Sequence, residues 1–429
     1  MMDVTSTARK ESLLHALLLC SAIAYAFLLP FGKDSTPVYF IAFLFLLLPN
    51  LKQKIKSSLQ NKFVLGCALF FAIHLLWSAT SDDMSLATHQ IKGALILLLP
   101  IALYHVVTKQ NREILLFAFI VGFFLTSLFS YLIFFDLIDN IFHLENKIVG
   151  EPLAFLYKID FTIILNILLF YLIVAFLNRY KMLSLLQKFF FLSAILMLIL
   201  NLFFIGSRTA VVVFGVGLVF TLGFLLFRHS FSKKVIALLM VASVTISALG
   251  FMFNEYDQRF LQEARGITKA IEKQDYMSSS GARLGLWKYG FLAYLENNLL
   301  VGSGTKNQLE VTKNYMESNV DELKSKPEYD EVLRVLSSKS GLHNYYMDIL
   351  VQFGLVGLAC FFTIFFFFLF SNKEKHEDET FLFLRYITAL VLLVSFLTGG
   401  DFATQKLGSI FIFLASLVHL SKPKTKALP

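Results

Sequence analysis

The chain is short of charge. Only 16% of its 429 residues are Asp, Glu, Lys or Arg, while 57% are hydrophobic and 48 are Phe. A soluble domain carries about 25% charged residues, so this composition excludes one and indicates a polytopic membrane protein. Cysteine is scarce as well. Cys20, Cys67 and Cys360 sit far apart in apolar runs with no CxxC pair, and read as packed thiols, neither disulfide nor metal site. Motifs for metals and nucleotides are missing. There is no HExxH, no Cys/His cluster and no Walker loop, and Gly215-Val216-Gly217 has no strand before it to form a dinucleotide loop. No metal and no cofactor is expected. No long internal repeat stands out.

Apolar runs are plentiful. About twelve reach or approach the ~20 residues that cross a bilayer. They lie near 12–30, 37–51, 63–78, 93–107, 114–135, 160–177, 189–205, 209–227, 235–253, 344–370, 381–398 and 408–420; the second, fourth and last are short. Arg9 and Lys10 precede the first run, as in a signal peptide. No small-residue cleavage site follows before Leu29-Pro30, so the run reads as an uncleaved first span. The net charge is +8, and most of the excess falls in alternate short loops: Lys52, Lys54, Lys56 and Lys62, then Lys109 and Arg112, Arg179 and Lys181, Arg228 and Lys233, Lys373 and Arg385. That is a positive-inside bias and not a nucleic-acid surface. It predicts cytoplasmic termini and one long external segment.

That segment runs from Asn254 to Leu342. The expected organisation is residues 1–253 as nine membrane helices, 254–343 as a helical outer loop, and 344–429 as three more helices and a cytoplasmic tail. Within the loop, Phe260, Ala264, Ile267 and Ile271 follow a helical period. Ser278-Ser279-Ser280-Gly281 breaks that helix and starts another, with Leu284, Trp287, Phe291 and Leu295 on one face. Gly302-Ser303-Gly304 ends it as a turn. Residues 305–326 read as polar helix, Pro327 interrupts, and Ser338 to Gly341 closes the loop.

Few residues there are suited to chemistry. Arg208, in Gly206-Ser207-Arg208-Thr209, lies in a loop so short that it meets the membrane interface, where an ionisable group marks function or a lipid-phosphate anchor. Arg283 opens the second outer helix, placed either for a bidentate phosphate contact or as a solvated surface residue. His343 precedes a long apolar run, either as a proton acceptor near neutral pH or as an interfacial anchor with Tyr345 and Tyr346. Asp348 lies about one turn into that run, either to pair with an Arg or as a polar contact; at five residues from His343 it falls on a different face, which disfavours a His–Asp dyad. Asp401 is a weaker outer-face acid. Asp82-Asp83 reads as a solvated pair rather than a cation site, and His74 and His105 as packing or interfacial residues.

Three segments together resemble the O-antigen ligase family, within the wider ligase and O-antigen polymerase superfamily. They are Gly206-Ser207-Arg208-Thr209-Ala210, then Gly281-Ala282-Arg283-Leu284 with Trp287 and Gly302-Ser303-Gly304, then His343-Asn344-Tyr345-Tyr346 leading to Gly354 and Gly357. Each is short; their order and their placement on one frame make the match specific. The resemblance implies an all-α, GT-C-like glycosyltransferase of about 12 transmembrane helices with one large helical periplasmic loop, in the bacterial inner membrane. It implies transfer of a polysaccharide from undecaprenyl diphosphate to a sugar hydroxyl of lipid A–core, inverting and without metal or ATP. His343 matches the family's catalytic histidine and takes the base role. Arg208 and Arg283 take the donor diphosphate, and Trp287, Asn344, Tyr345 and Asp348 stand beside them as supporting positions. The outer loop is then a lid that lowers Arg283 over the diphosphate. An O-antigen polymerase and a protein O-oligosaccharyltransferase of the same superfamily are the alternatives. A polysaccharide transporter fits less well, because the span centres carry few charges.

Overall fold

The computed structural model describes residues 2–32, 35–79, 81, 83–138, 155–156, 158–205, 207–228, 256–273, 275–304, 308–326, 329–337, 342–371, 378–398 and 406–420. Among these residues the secondary structure is helical apart from isolated bridge residues, among them the pair Asn298 and Gly302. The helices are α1 (Met2–Leu28), α2 (Ser35–Leu46), α3 (Leu51–Leu59), α4 (Lys62–Ser78), α5 (Met84–Ala94), α6 (Leu99–Leu103), α7 (Asn111–Phe134), α8 (Lys158–Arg179), α9 (Leu185–Phe204) and α10 (Arg208–Phe227). The outer segment supplies α11 (Tyr256–Lys273), α12 (Ser279–Leu295), α13 (Gln308–Ser318), α14 (Val320–Leu323) and α15 (Tyr329–Ser337). The chain then returns through α16 (Tyr345–Phe370), α17 (Glu379–Ser395) and α18 (Lys406–His419).

Among the described residues seven helical stretches are long and apolar enough to span a membrane: Lys10–Phe31, Met84–Leu103, Asn111–Phe134, Lys158–Arg179, Leu185–Leu202, Thr209–Phe227 and Tyr345–Phe370. The chain is thus an all-helical polytopic membrane protein, and the described spans fall short of the twelve expected. The reasons are local. The run at 37–51 does not continue straight: Pro49 interrupts it, Asn50 takes a left-handed φ of 56°, and the chain turns 118° between Thr36–Leu46 and Leu51–Leu59. If that bent pair is one span the count is eight. Lys62–Ser78 and Leu407–His419 are apolar but shorter, and the run at 235–253 lies outside the described residues.

The centre of the frame is α8, which buries most of its length. Helices α9, α10 and α17 pack around it, while α1 packs on α7 and α16 on α4. At the end of the bundle opposite His343, Arg179 bonds Glu113 at 3.1 Å and lies 3.8 Å from Asp378, tying α8, α7 and the start of α17 together. All three groups are partly exposed, so the pairing contributes at most ~1 kcal/mol. Buried Arg112 stacks its guanidinium 3.8 Å from the centre of the Phe381 ring.

The outer segment has an apolar core of its own, built on Leu286, Tyr289, Met316, Leu323, Val332 and Leu336. Leu342 and Val351 belong to the same cluster, so this core extends onto the first turns of α16. The face of α11 that packs on α12 is made of small residues. Gly266 and Ala270 are buried, whereas Ile267 and Ile271 are 41% and 71% exposed. On α12, Gly281, Ala282, Gly285 and Gly290 are buried beside Leu286, Tyr289 and Tyr294, while Phe291 and Leu295 face outward. Small side chains let helix backbones approach closely.

Helix α16 is not continuous. Gly354 sits at φ 62°, ψ −160°, a conformation open in practice only to glycine. The loop after α12 fills the break. Ser303 and Gly304 donate their amides to Val351 O and Gln352 O at 2.9 and 3.0 Å, and Leu355 and Val356 donate to Leu299 O and Leu300 O at 3.1 and 3.0 Å. Every backbone group freed by the kink must find a partner inside the protein, because lipid offers none. Gly302-Ser303-Gly304 is therefore the piece that docks α12 to the membrane frame, as well as a turn.

Candidate active site

His343 is held between two anchors. Before it, Leu342 is fully buried, and its carbonyl accepts from Trp287 Nε1 at 3.0 Å. After it, Asn344 caps α16, its Oδ1 accepting from the amides of Tyr346 and Met347 at 3.1 and 3.3 Å. Between them His343 adopts a left-handed φ of 54°. That conformation is uncommon outside glycine and costs about 1–3 kcal/mol, so the anchors on either side are what hold it. Tyr346 carries the fixation further by donating its hydroxyl to Leu393 O of α17 at 2.7 Å. Tyr345 is buried against Phe361 and Phe396 and serves the packing of this corner.

The half-buried imidazole faces an open cleft of about 300 Å³. Its walls include Ser278, Ala282, Arg283 and Leu286 of the α12 start, Arg334 of α15, and His343. Ser278 opens α12, its Oγ accepting from Gly281 N at 2.9 Å. Arg283 therefore lies in the first turns of a capped helix, where the helix dipole also favours an anion. Burial first, and the Arg283 cation second, hold the His343 pKa below its ordinary value. The imidazole is accordingly neutral at neutral pH, the state in which it accepts a proton.

The structure thus brings Arg283 and His343 into one cleft, with Trp287 and Asn344 as the residues that fix the histidine. It adds Arg334, which sequence reasoning missed. Arg334 lies on a short amphipathic helix whose apolar side carries Val332 and Leu336 into the outer core. The signal available was that periodicity, which turns Arg334 away from the core. Asp348 is half-buried and is not among the charges that shift His343. Arg208 is the first residue of α10, after an N-cap at Ser207 whose Oγ accepts from Ala210 N at 3.3 Å. The side chain of Arg208, and all of Gly206, Asp82 and Asp401, lie outside the described residues. His74 is buried between Phe70 and Phe353, as a packing residue, and His105 bonds Ser58 Oγ at 2.9 Å.

A comparison with curated proteins returns no match to the chain. A comparison with protein families does return one: residues 192–362 match the model described as O-antigen ligase. The matched stretch begins within α9 and ends within α16, so it contains Arg208, the outer segment, the cleft and the break at Gly354. The three sequence motifs fall inside that stretch, so over residues 192–362 the chain is similar to the O-antigen ligase family.

Proposed function

We propose that the protein is an O-antigen ligase, moving a polysaccharide from undecaprenyl diphosphate to a sugar hydroxyl of lipid A–core. The observation that carries this reading is the shared cleft of His343 and Arg283. Transfer from a lipid diphosphate develops negative charge on the leaving group as the glycosidic bond breaks. Guanidinium groups fixed beforehand at that place stabilise the charge without reorganising. Arg283 takes this role in the cleft, and Arg208 is assigned to the same diphosphate from its motif. The acceptor is a neutral hydroxyl, and a neutral imidazole is the base it needs. His343 removes the hydroxyl proton as the oxygen attacks the anomeric carbon opposite the diphosphate, which inverts that centre. The donor bond supplies the driving force, and the reading calls on no metal or nucleotide.

The alternation of basic loops supports cytoplasmic termini and a cleft on the opposite face, and the family likeness supports a twelve-span, GT-C-like frame with that face periplasmic. In this reading residues 254–343 form a lid over the donor, with 1–253 and 344–429 as the frame. The Gly354 dock limits how far the lid moves, since it ties the end of α12 to α16. The polymerase reading uses the same donor and differs in its acceptor. A strain lacking the protein separates the two. Loss of a ligase leaves bare lipid A–core while long polymer accumulates on the carrier lipid; core capped with a single repeat unit instead identifies a polymerase and overturns the proposal.

A further inference from the structure

A second cleft adjoins the first. It holds about 350 Å³ and is lined by Gln262, Arg265 and Lys269 of α11 and by Asp275, Met277 and Ser278 ahead of α12. Met277 and Ser278 line both hollows, so the two meet along that edge. The dividing wall is thin because α11 presses close: a Cβ on Gly266 would stand 2.2 Å from Ser278 Oγ. The chemistry of the second cleft is cationic. Arg265 and Lys269 are both exposed and lie four residues apart, on one face of α11. The one carboxylate, Asp275, has Oδ1 turned to the backbone, accepting from Met277 N at 3.1 Å. Across the shared edge stand Arg283 and Arg334. Among the described residues lining the joined hollow, Arg265, Lys269, Arg283 and Arg334 outnumber the single carboxylate of Asp275, an arrangement that concentrates anions.

The position says which substrate this serves. The donor diphosphate is assigned to Arg283 in the first cleft, beside His343 at the foot of α16, which leaves the second cleft for the saccharide of the other substrate. None of the described residues lining the second cleft comes from the membrane frame. We propose that it is the acceptor subsite for an anionic saccharide, in which Arg265 and Lys269 grip phosphate or carboxylate groups and hold the acceptor hydroxyl towards His343. The proposal rests on the transferase reading of the first cleft.

The test uses the full chain in lipid nanodiscs and two probes: labelled lipid A–core with its phosphates, and the same glycolipid after chemical dephosphorylation. Binding is measured directly, so it does not depend on turnover. Arg265→Gln/Lys269→Gln should bind the phosphorylated probe about tenfold more weakly, the size that two exposed charge contacts supply. The acceptor KM should rise by the same factor, with kcat and donor KM unchanged. Arg265→Lys/Lys269→Arg should bind as the wild type does, and the dephosphorylated probe should bind the wild type as weakly as the charge-free variant binds the phosphorylated one. Unchanged acceptor affinity in the charge-free variant overturns the subsite. So does an equal loss in the charge-conserving variant, which marks a structural effect, or a rise in donor KM, which marks a donor site. Phosphate-dependent binding without any transfer would leave the subsite standing and remove the transferase reading instead.

Discussion

Replacing Gly354 with alanine should release the outer segment from the membrane frame. A Cβ at that position would lie 2.4 Å from Leu300 O and 2.6 Å from Gly302 N, both backbone atoms that no rotamer change can move. The loop has to retreat, and with it go the four backbone hydrogen bonds that close the break in α16. Each contributes about 1 kcal/mol net, and more where lipid excludes water. The φ of 62° adds about 1–3 kcal/mol of strain for an L residue. The dock should therefore weaken by roughly 5 kcal/mol, or about three to four decades in the opening equilibrium. Hydrogen exchange in nanodiscs reads this directly, as lost protection in peptides covering 298–304 and 351–356. Transfer activity should fall too, because α12 carries Arg283. Gly215→Ala is the control, since a Cβ there meets nothing within 4 Å. Wild-type protection in Gly354→Ala would mean that α16 runs unbroken, and the docking argument would fail.

Three further outcomes follow from the cleft. Trp287→Phe leaves the buried Leu342 carbonyl without its 3.0 Å donor, a loss of about 1–3 kcal/mol, and frees the turn that carries His343; kcat should drop with donor affinity unchanged, and an unaltered kcat would dismiss the anchor. Asn344→Ala removes the cap of α16 and should lower thermal stability by about 0.5–2 kcal/mol, readable in a melting curve. The acidic limb of kcat/KM should lie below the ordinary histidine value, since His343 is depressed by burial and then by Arg283. Removing the Arg283 cation in Arg283→Gln makes protonation easier, so that limb should move up in pH; a limb that stays in place, or moves down, would break the assigned coupling.

The sequence made the membrane class and the start of α12 legible, because hydropathy runs and Ser278 are local signals. It made Arg283 and His343 legible through their motifs, and the cleft joins them. It misled on helix faces. Ile267, Ile271, Phe291 and Leu295 follow a helical period, yet they are exposed, while Gly266 and Ala270 of α11 are buried and Gly281 and Gly285 of α12 pack on Tyr276 and Val332. Hydrophobic periodicity alone does not say which apolar stripe of a helix is buried. The break in α16 was also hidden within a continuous apolar run. Gly354 alone hinted at it, and its partner Gly302 is 52 residues upstream, beyond any local pattern. Arg334 was missed for a similar reason, because only the fold of the outer segment carries α15 to the mouth of the cleft.

The most direct measurement is transfer by purified His343→Ala, from undecaprenyl-diphosphate-linked polysaccharide to lipid A–core, with donor binding followed on the same sample. The account predicts that transfer falls by roughly 10²–10⁴-fold, the range of a positioned general base, while donor affinity stays at the wild-type level. Full transfer by the variant, or a loss of donor binding that matches the loss of activity, would contradict it.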